Sequence, residues 1–159
     1  MSQVAVFAVA VSLVAGVFTC AAGNQTDIGM MLSSEGLSYA TFDNGSGVIY
    51  LVPFESMNHP ALQVLIRRSS DERAIIVYAE VTKLPEDVPS SVYRGLVEEQ
   101  TKHAWFGKYC IQDGSLFYAV ETLSESLDSR TLADVVRNVA GYVDNSYPRV
   151  ERLVNHNSR

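Results

Sequence analysis

The chain has 159 residues, 47% hydrophobic and 19% charged, with a formal net charge of −6. That length fits one domain able to bury a core without staples. Two cysteines and three histidines argue against a disulfide scaffold or an all-protein zinc cage. The acidic balance, with no basic run, gives no grip on a phosphate backbone, so no nucleic-acid partner is expected.

The twelve basic and eighteen acidic residues all fall from Asp27 onward. Ahead of them, Val4 to Ala22 is an apolar run broken only by Ser12, Gly16 and Thr19. Such a run suits a secretory core or a short membrane span. Ala21, Ala22 and Gly23 supply the small residues of a cleavage site, but no Lys or Arg precedes the run. Four readings fit: a cleaved signal peptide, an amino-terminal anchor, lipidation at Cys20, or a core helix behind a wrong start codon. The chain therefore divides into residues 1–23, a signal peptide or membrane anchor, and 24–159, a single domain. Export to the periplasm, envelope or exterior is the expected location, and a wrong start would leave the chain cytoplasmic. Membrane contact is expected only through the uncleaved leader.

Asn24 or Thr26 can cap a short helix through Ser34, stopped by Gly36. Tyr39 to Phe42 and Val48 to Val52 are strand-like, joined by the turn residues Asp43-Asn44-Gly45-Ser46-Gly47. Leu62 to Arg67 and Ala74 to Val81 are two more β-branched runs, which makes an antiparallel meander. Pro85 to Pro89 opens a helix reaching about Ala104, with Val88, Val92, Leu96 and Val97 as its apolar stripe and Glu98, Glu99 and Lys102 on its wet side. Lys108 to Gln112 and Leu116 to Glu121 flank Asp113-Gly114, a strong type I′ hairpin signal. Leu132, Val135, Val136, Val139, Tyr142 and Val143 then follow a 3.6-residue period, capped by Asp128 or Ser129 and ended or kinked by Pro148. The sum is an α+β fold in two layers: helix, three or four strands, helix, two strands, long helix. Its meander and carboxy-terminal hairpin pack against the helices.

Catalytic chemistry is sparse. His59, His103 and His156 are scattered without ligand spacing, Cys110 sits mid-strand, and Ser46 lies in a hairpin turn rather than a nucleophile elbow. Gly45 and Gly47 make no phosphate loop, and the adjacent acid pairs read as solvated faces. No catalytic, cofactor-binding or metal residue is assigned, and no cofactor is expected. Aromatics gather instead around the second helix and the hairpin. Phe117 and Tyr118 must point to opposite faces of the sheet, and the apolar register favours Phe117 outward. An outward aromatic offers a contact surface for a peptide or a second subunit. Tyr93, Trp105, Phe106 and Phe117 are the candidate partner contacts, with the second helix as the candidate subunit contact.

The stretch Gly107-Lys108-Tyr109-Cys110-Ile111-Gln112-Asp113-Gly114-Ser115-Leu116-Phe117, followed by Leu132 to Tyr147-Pro148, resembles the carboxy-terminal half of the YbjN-like family. Met30 to Tyr39, Ile75 to Pro85 and Asp144 to Pro148 extend that likeness across about residues 26–154. The family resembles type III secretion chaperones, and the likeness implies a peptide- or protein-binding module with no catalytic residues. An export-like leader departs from chaperones that work in the cytoplasm, which moves the expected role to the envelope or exterior. The function expected is therefore non-catalytic, chaperone-like binding of a protein or peptide segment, as a monomer or a homodimer. The alternatives are a small secreted hydrolase with an unrecognised site and a structural envelope lipoprotein anchored at Cys20.

Overall fold

A computed structural model describes residues 27–104 and 106–156. The apolar leader with Cys20, and Trp105, lie outside the described residues. Among the described residues three α-helices and six strands follow in chain order: α1 (Ile28–Ser34), β1 (Ala40–Asp43), β2 (Val48–Pro53), β3 (Gln63–Arg68), β4 (Ala74–Lys83), α2 (Ser90–His103), β5 (Lys108–Gln112), β6 (Ser115–Leu123) and α3 (Ser129–His156), with a short 3-10 turn at Ser124–Ser126. The strands form one antiparallel sheet in the order β1-β2-β3-β4-β6-β5. The carboxy-terminal hairpin thus joins the meander through its second strand, β6, along the whole of β4. This is the α+β architecture expected from the sequence.

Local chemistry sets the boundaries. Asp27, not Asn24 or Thr26, caps α1: its carboxylate accepts from the backbone N–H groups of Gly29 and Met30 at 2.9 and 3.4 Å. Asp113 and Gly114 both hold positive φ, 50° and 74°, as the two-residue β5–β6 turn requires. At the β3–β4 turn Ser69 Oγ donates to Asp71 at 2.6 Å, and Arg73 N–H donates to the same carboxylate. The Ser69 bond leads in holding that carboxyl below its usual range.

The helices cover one face of the sheet. Ile28, Met31 and Leu32 of α1, Val92 and Leu96 of α2, and the α3 series Leu132, Val136, Val139 and Val143 share one core with Val64, Ile66, Val77, Ala79, Leu116 and Tyr118. Burying such side chains is worth roughly 1.5–3 kcal/mol each, which is what holds the layers together. Three further expectations need correction. Pro148 neither ends nor visibly interrupts α3, which continues to His156 and buries Val150 and Val154 beyond it; those two apolar anchors offset the backbone bond that proline forfeits. Val97 does not join the stripe of α2 and is 65% exposed, because the core takes only Val92 and Leu96 from that helix. Glu99, expected on the wet side, is instead turned toward α3 and bonds Arg149 at 2.7 Å.

Candidate interaction surface

The sheet has a second face, and its composition is unusual. Opposed residues of an antiparallel pair share a face, so the register fixes which side chains meet there. Ala40, Leu51, Leu65, Tyr78, Ala119 and Lys108 stand abreast across all six strands. To one side lie Phe42, Ile49, Arg67, Ile76 and Glu121; to the other, Pro53, Gln63, Glu80, Phe117 and Cys110. None of the described helices packs on this face. Phe42 is 43% exposed, Leu51, Leu65, Ile76, Tyr78 and Phe117 are half-buried, and Ile49 is buried. Tyr78 and Phe117 meet edge to face at 5.8 Å, and Arg67 hydrogen-bonds the Tyr78 hydroxyl. A groove of about 530 Å3 runs over the face, lined by Phe42, Ile49, Leu65, Tyr78, Glu80 and Phe117 among others.

The two sheet edges differ. Along β5, Gln100 of α2 reaches across so that its side-chain oxygen accepts the Tyr109 N–H at 2.8 Å. That edge is partly closed by a helix. At the other edge β1 is bonded, among the described residues, only to β2, and all four of its residues are exposed. No described strand pairs with its outer side.

Between β5, β6 and α3 three tyrosines interlock. Tyr118 stacks on Tyr142 with ring centroids 4.0 Å apart, and the Tyr109 and Tyr142 hydroxyls are 3.1 Å apart. Burial, and then the contact with Tyr109, push the Tyr142 hydroxyl far above its ordinary range. Burial likewise raises Tyr109 and Tyr118, so all three stay protonated at neutral pH. This is packing rather than a proton relay. Gly107 is required beside it, because a Cβ there would collide with the Tyr118 ring.

Asp144 of α3 is a clasp that the sequence did not announce. Its carboxylate accepts the backbone N–H groups of Met57, Asn58 and His59 at 3.2, 2.8 and 2.9 Å. Partial burial works against its charge, but these donors prevail and hold the carboxyl below its usual range. The His59 ring packs edge-on to Tyr147 at 4.8 Å. Together these contacts fix the long β2–β3 loop to the last helix.

The candidate contact residues do not converge. Phe117 is on the outer sheet face, while Tyr118 is buried beneath the helices. Tyr93 and Phe106 are 45% and 70% exposed, and belong to α2 and the segment after it. The sheet separates Phe117 from the core that takes α2. His103 is exposed and 3.8 Å from Glu99, and Ser46 sits in the exposed β1–β2 turn, where its N–H donates to Asn44. Burial raises the Cys110 thiol, with Lys108 only partly countering it. Among the described residues no cluster of three metal-ligating groups occurs, and no helix is long and apolar enough to cross a membrane. What the sequence reading missed was the outer face as a whole. Its signal was present in the β2, β4 and β6 runs, which are nearly continuously apolar rather than alternating.

No family model and no curated protein matches the chain. Solved structures do. A chain in the crystal structure of the ExsC–ExsE complex is similar at 13% identity, covering 76% of this chain and 88% of its own, with a TM-score of 0.53. A chain of the heterodimeric ExoU–SpcU complex from the type III secretion system of Pseudomonas aeruginosa matches at 16% identity over 79% and 95%, with a TM-score of 0.49. An uncharacterized protein from Methanothermobacter thermautotrophicus matches at 14% identity over 82% and 95%, with a TM-score of 0.45. The first of these likenesses is one of fold alone: the chain shares the α+β architecture of a chain in that complex.

Proposed function

We propose that this protein is a non-catalytic, chaperone-like module that binds an extended segment of a partner protein, acting in the cell envelope or outside the cell. The observation that carries this reading is the open β1 edge. Exposed strand edges with unpaired N–H and C=O groups take up an added strand, with main-chain bonds giving affinity and alternate side chains giving selectivity. The opposite edge is partly occupied by Gln100, which makes β1 the more open of the two edges. The fold likeness to a chain in a protein–protein complex supports the same reading. The sparse catalytic chemistry of the sequence agrees with a module that holds its partner without turnover.

The test uses the full chain as bait against envelope extract, with captured partners identified and their segments measured as synthetic peptides by calorimetry. Successive residues of a strand point their N–H groups to opposite sides, so one of Ala40 and Thr41 faces β2 and the other faces the open edge. Proline at the outward position is tolerated in an edge strand but removes a donor. One of Ala40→Pro and Thr41→Pro should therefore fold normally and lose the peptide. Full binding by both, or turnover of an ester, phosphate or peptide substrate by the wild type, would overturn the proposal.

A further inference from the structure

Strands buried on both faces read as continuous apolar runs, whereas a solvated face shows alternation. Strand β4 runs Ala74-Ile75-Ile76-Val77-Tyr78-Ala79, and both of its faces are apolar, yet the described helices cover only one. The sequence has been shaped for a cover that the described chain does not supply. Two quantities identify it. The face spans six strands at about 4.8 Å spacing and roughly 20 Å of strand length, a flat footprint of about 500 Å2. Two such faces approach the total of about 1,000 Å2 that a specific interface needs. A single helix, about 10–12 Å across, would leave at least one outer row uncovered.

The charges are the second quantity. Arg67 and Glu80 lie on adjacent strands, on opposite sides of the central Leu65–Tyr78 pair. Within one chain they are about 13 Å apart along the strand direction, beyond reach of an ion pair. A twofold axis lying in the interface and bisecting the line between them exchanges their positions. It sets Arg67 of each copy opposite Glu80 of the other, twice. The same axis crosses the strands of the two sheets at about 40°, near the ~30° of aligned sheet packing. An isologous interface requires this kind of self-complementarity.

We infer that the outer sheet face is the interface of a homodimer, packed sheet to sheet about the Leu65–Tyr78 centre and ordered by reciprocal Arg67–Glu80 pairs. This goes beyond the β1-edge reading and is independent of it, since the edge stays open in such a dimer. It also differs from a subunit contact through α2.

Sedimentation equilibrium of the full chain tests it. The wild type should be dimeric at micromolar concentration. Arg67→Glu and Glu80→Arg should each fold normally and weaken dimerisation by about 100-fold or more, because like charges then face each other at both pairs. Mixed in equal amounts, the two variants should re-form a dimer, since both pairs are then complementary. Leu65→Glu should be a folded monomer that mixing with either variant does not rescue, and it carries the test should a charge variant fail to fold. A monomeric wild type, a dimer indifferent to these substitutions, or folded single variants that stay monomeric when mixed would overturn the inference. Whichever of the Ala40→Pro and Thr41→Pro variants folds normally should dimerise like the wild type, so failure of either proposal is separately visible.

Discussion

Phe117 and Tyr118 are neighbours in one strand and face different surroundings. Tyr118 is 1% exposed, stacked on Tyr142 and walled in by Gly107, whereas Phe117 leans on Tyr78 over a face that none of the described helices covers. Both faces of the sheet carry apolar side chains, the outer one interspersed with Arg67, Glu80, Lys108 and Glu121, yet only the inner one is closed by the described chain. The comparison separates two uses of hydrophobic surface. On the inner face it stabilises the fold; on the outer face it is available for association, and truncation there should cost contact rather than folding.

Breaking the inner face should have the largest effect. Val136 is fully buried in the first half of α3, so Val136→Asp places a carboxylate in the core and should cost on the order of 5 kcal/mol. Chemical denaturation should show a molten or unfolded protein. Arg137, one residue on, only donates to the Glu35 carbonyl and pairs with Asp134 at the surface; Arg137→Ala should stay within about 1 kcal/mol. Equal losses for the two would mean that the inner and outer sides of α3 are wrongly assigned.

Tyr118→Ala comes next. Removing that ring leaves a cavity against Tyr142 and Tyr109 and should cost about 3–5 kcal/mol, read from the denaturation midpoint. Phe117→Ser should cost no more than about 1 kcal/mol within a single subunit. Similar losses at both positions would erase the distinction between the faces.

A smaller effect belongs to the Asp144 clasp. Its carboxyl is held below the unfolded value, so its contribution is present above about pH 4 and lost as pH falls through the lower folded value. Asp144→Asn should remove about 1–2 kcal/mol at neutral pH, after allowing for solvent screening. It should also flatten the acid limb of the stability curve, followed by denaturant midpoints between pH 2 and 7. An unchanged acid limb would mean that the clasp contributes nothing to folding.

The order of elements could be read from the chain because each signal was local. Asp113-Gly114 demanded a tight hairpin, and the valines of α3 repeated at 3.6 residues. Other features depended on partners distant in sequence. Pro148 is carried inside α3 because Val150 and Val154 are anchored in the core, which no local propensity reveals. Val97 carries an apolar side chain on the wet side of α2, where periodicity alone misplaced it. Asp144 and the β2–β3 loop are some 85 residues apart and meet only in the folded chain. The outward Phe117 could be anticipated from strand alternation and its neighbours. The surface it belongs to could not, because pairing β6 rather than β5 with β4 is what brings Phe117 and Tyr78 together.

The most direct measurement is the melting midpoint as a function of protein concentration, for the full wild-type chain beside Phe117→Ser. Association stabilises a folded protein by mass action. If the outer face joins two copies, the wild-type midpoint should rise by about 2 °C for each tenfold increase in concentration. Phe117→Ser, with its inner face intact, should melt cooperatively at a midpoint independent of concentration. Flat curves for both proteins, or equal slopes for both, would contradict the account.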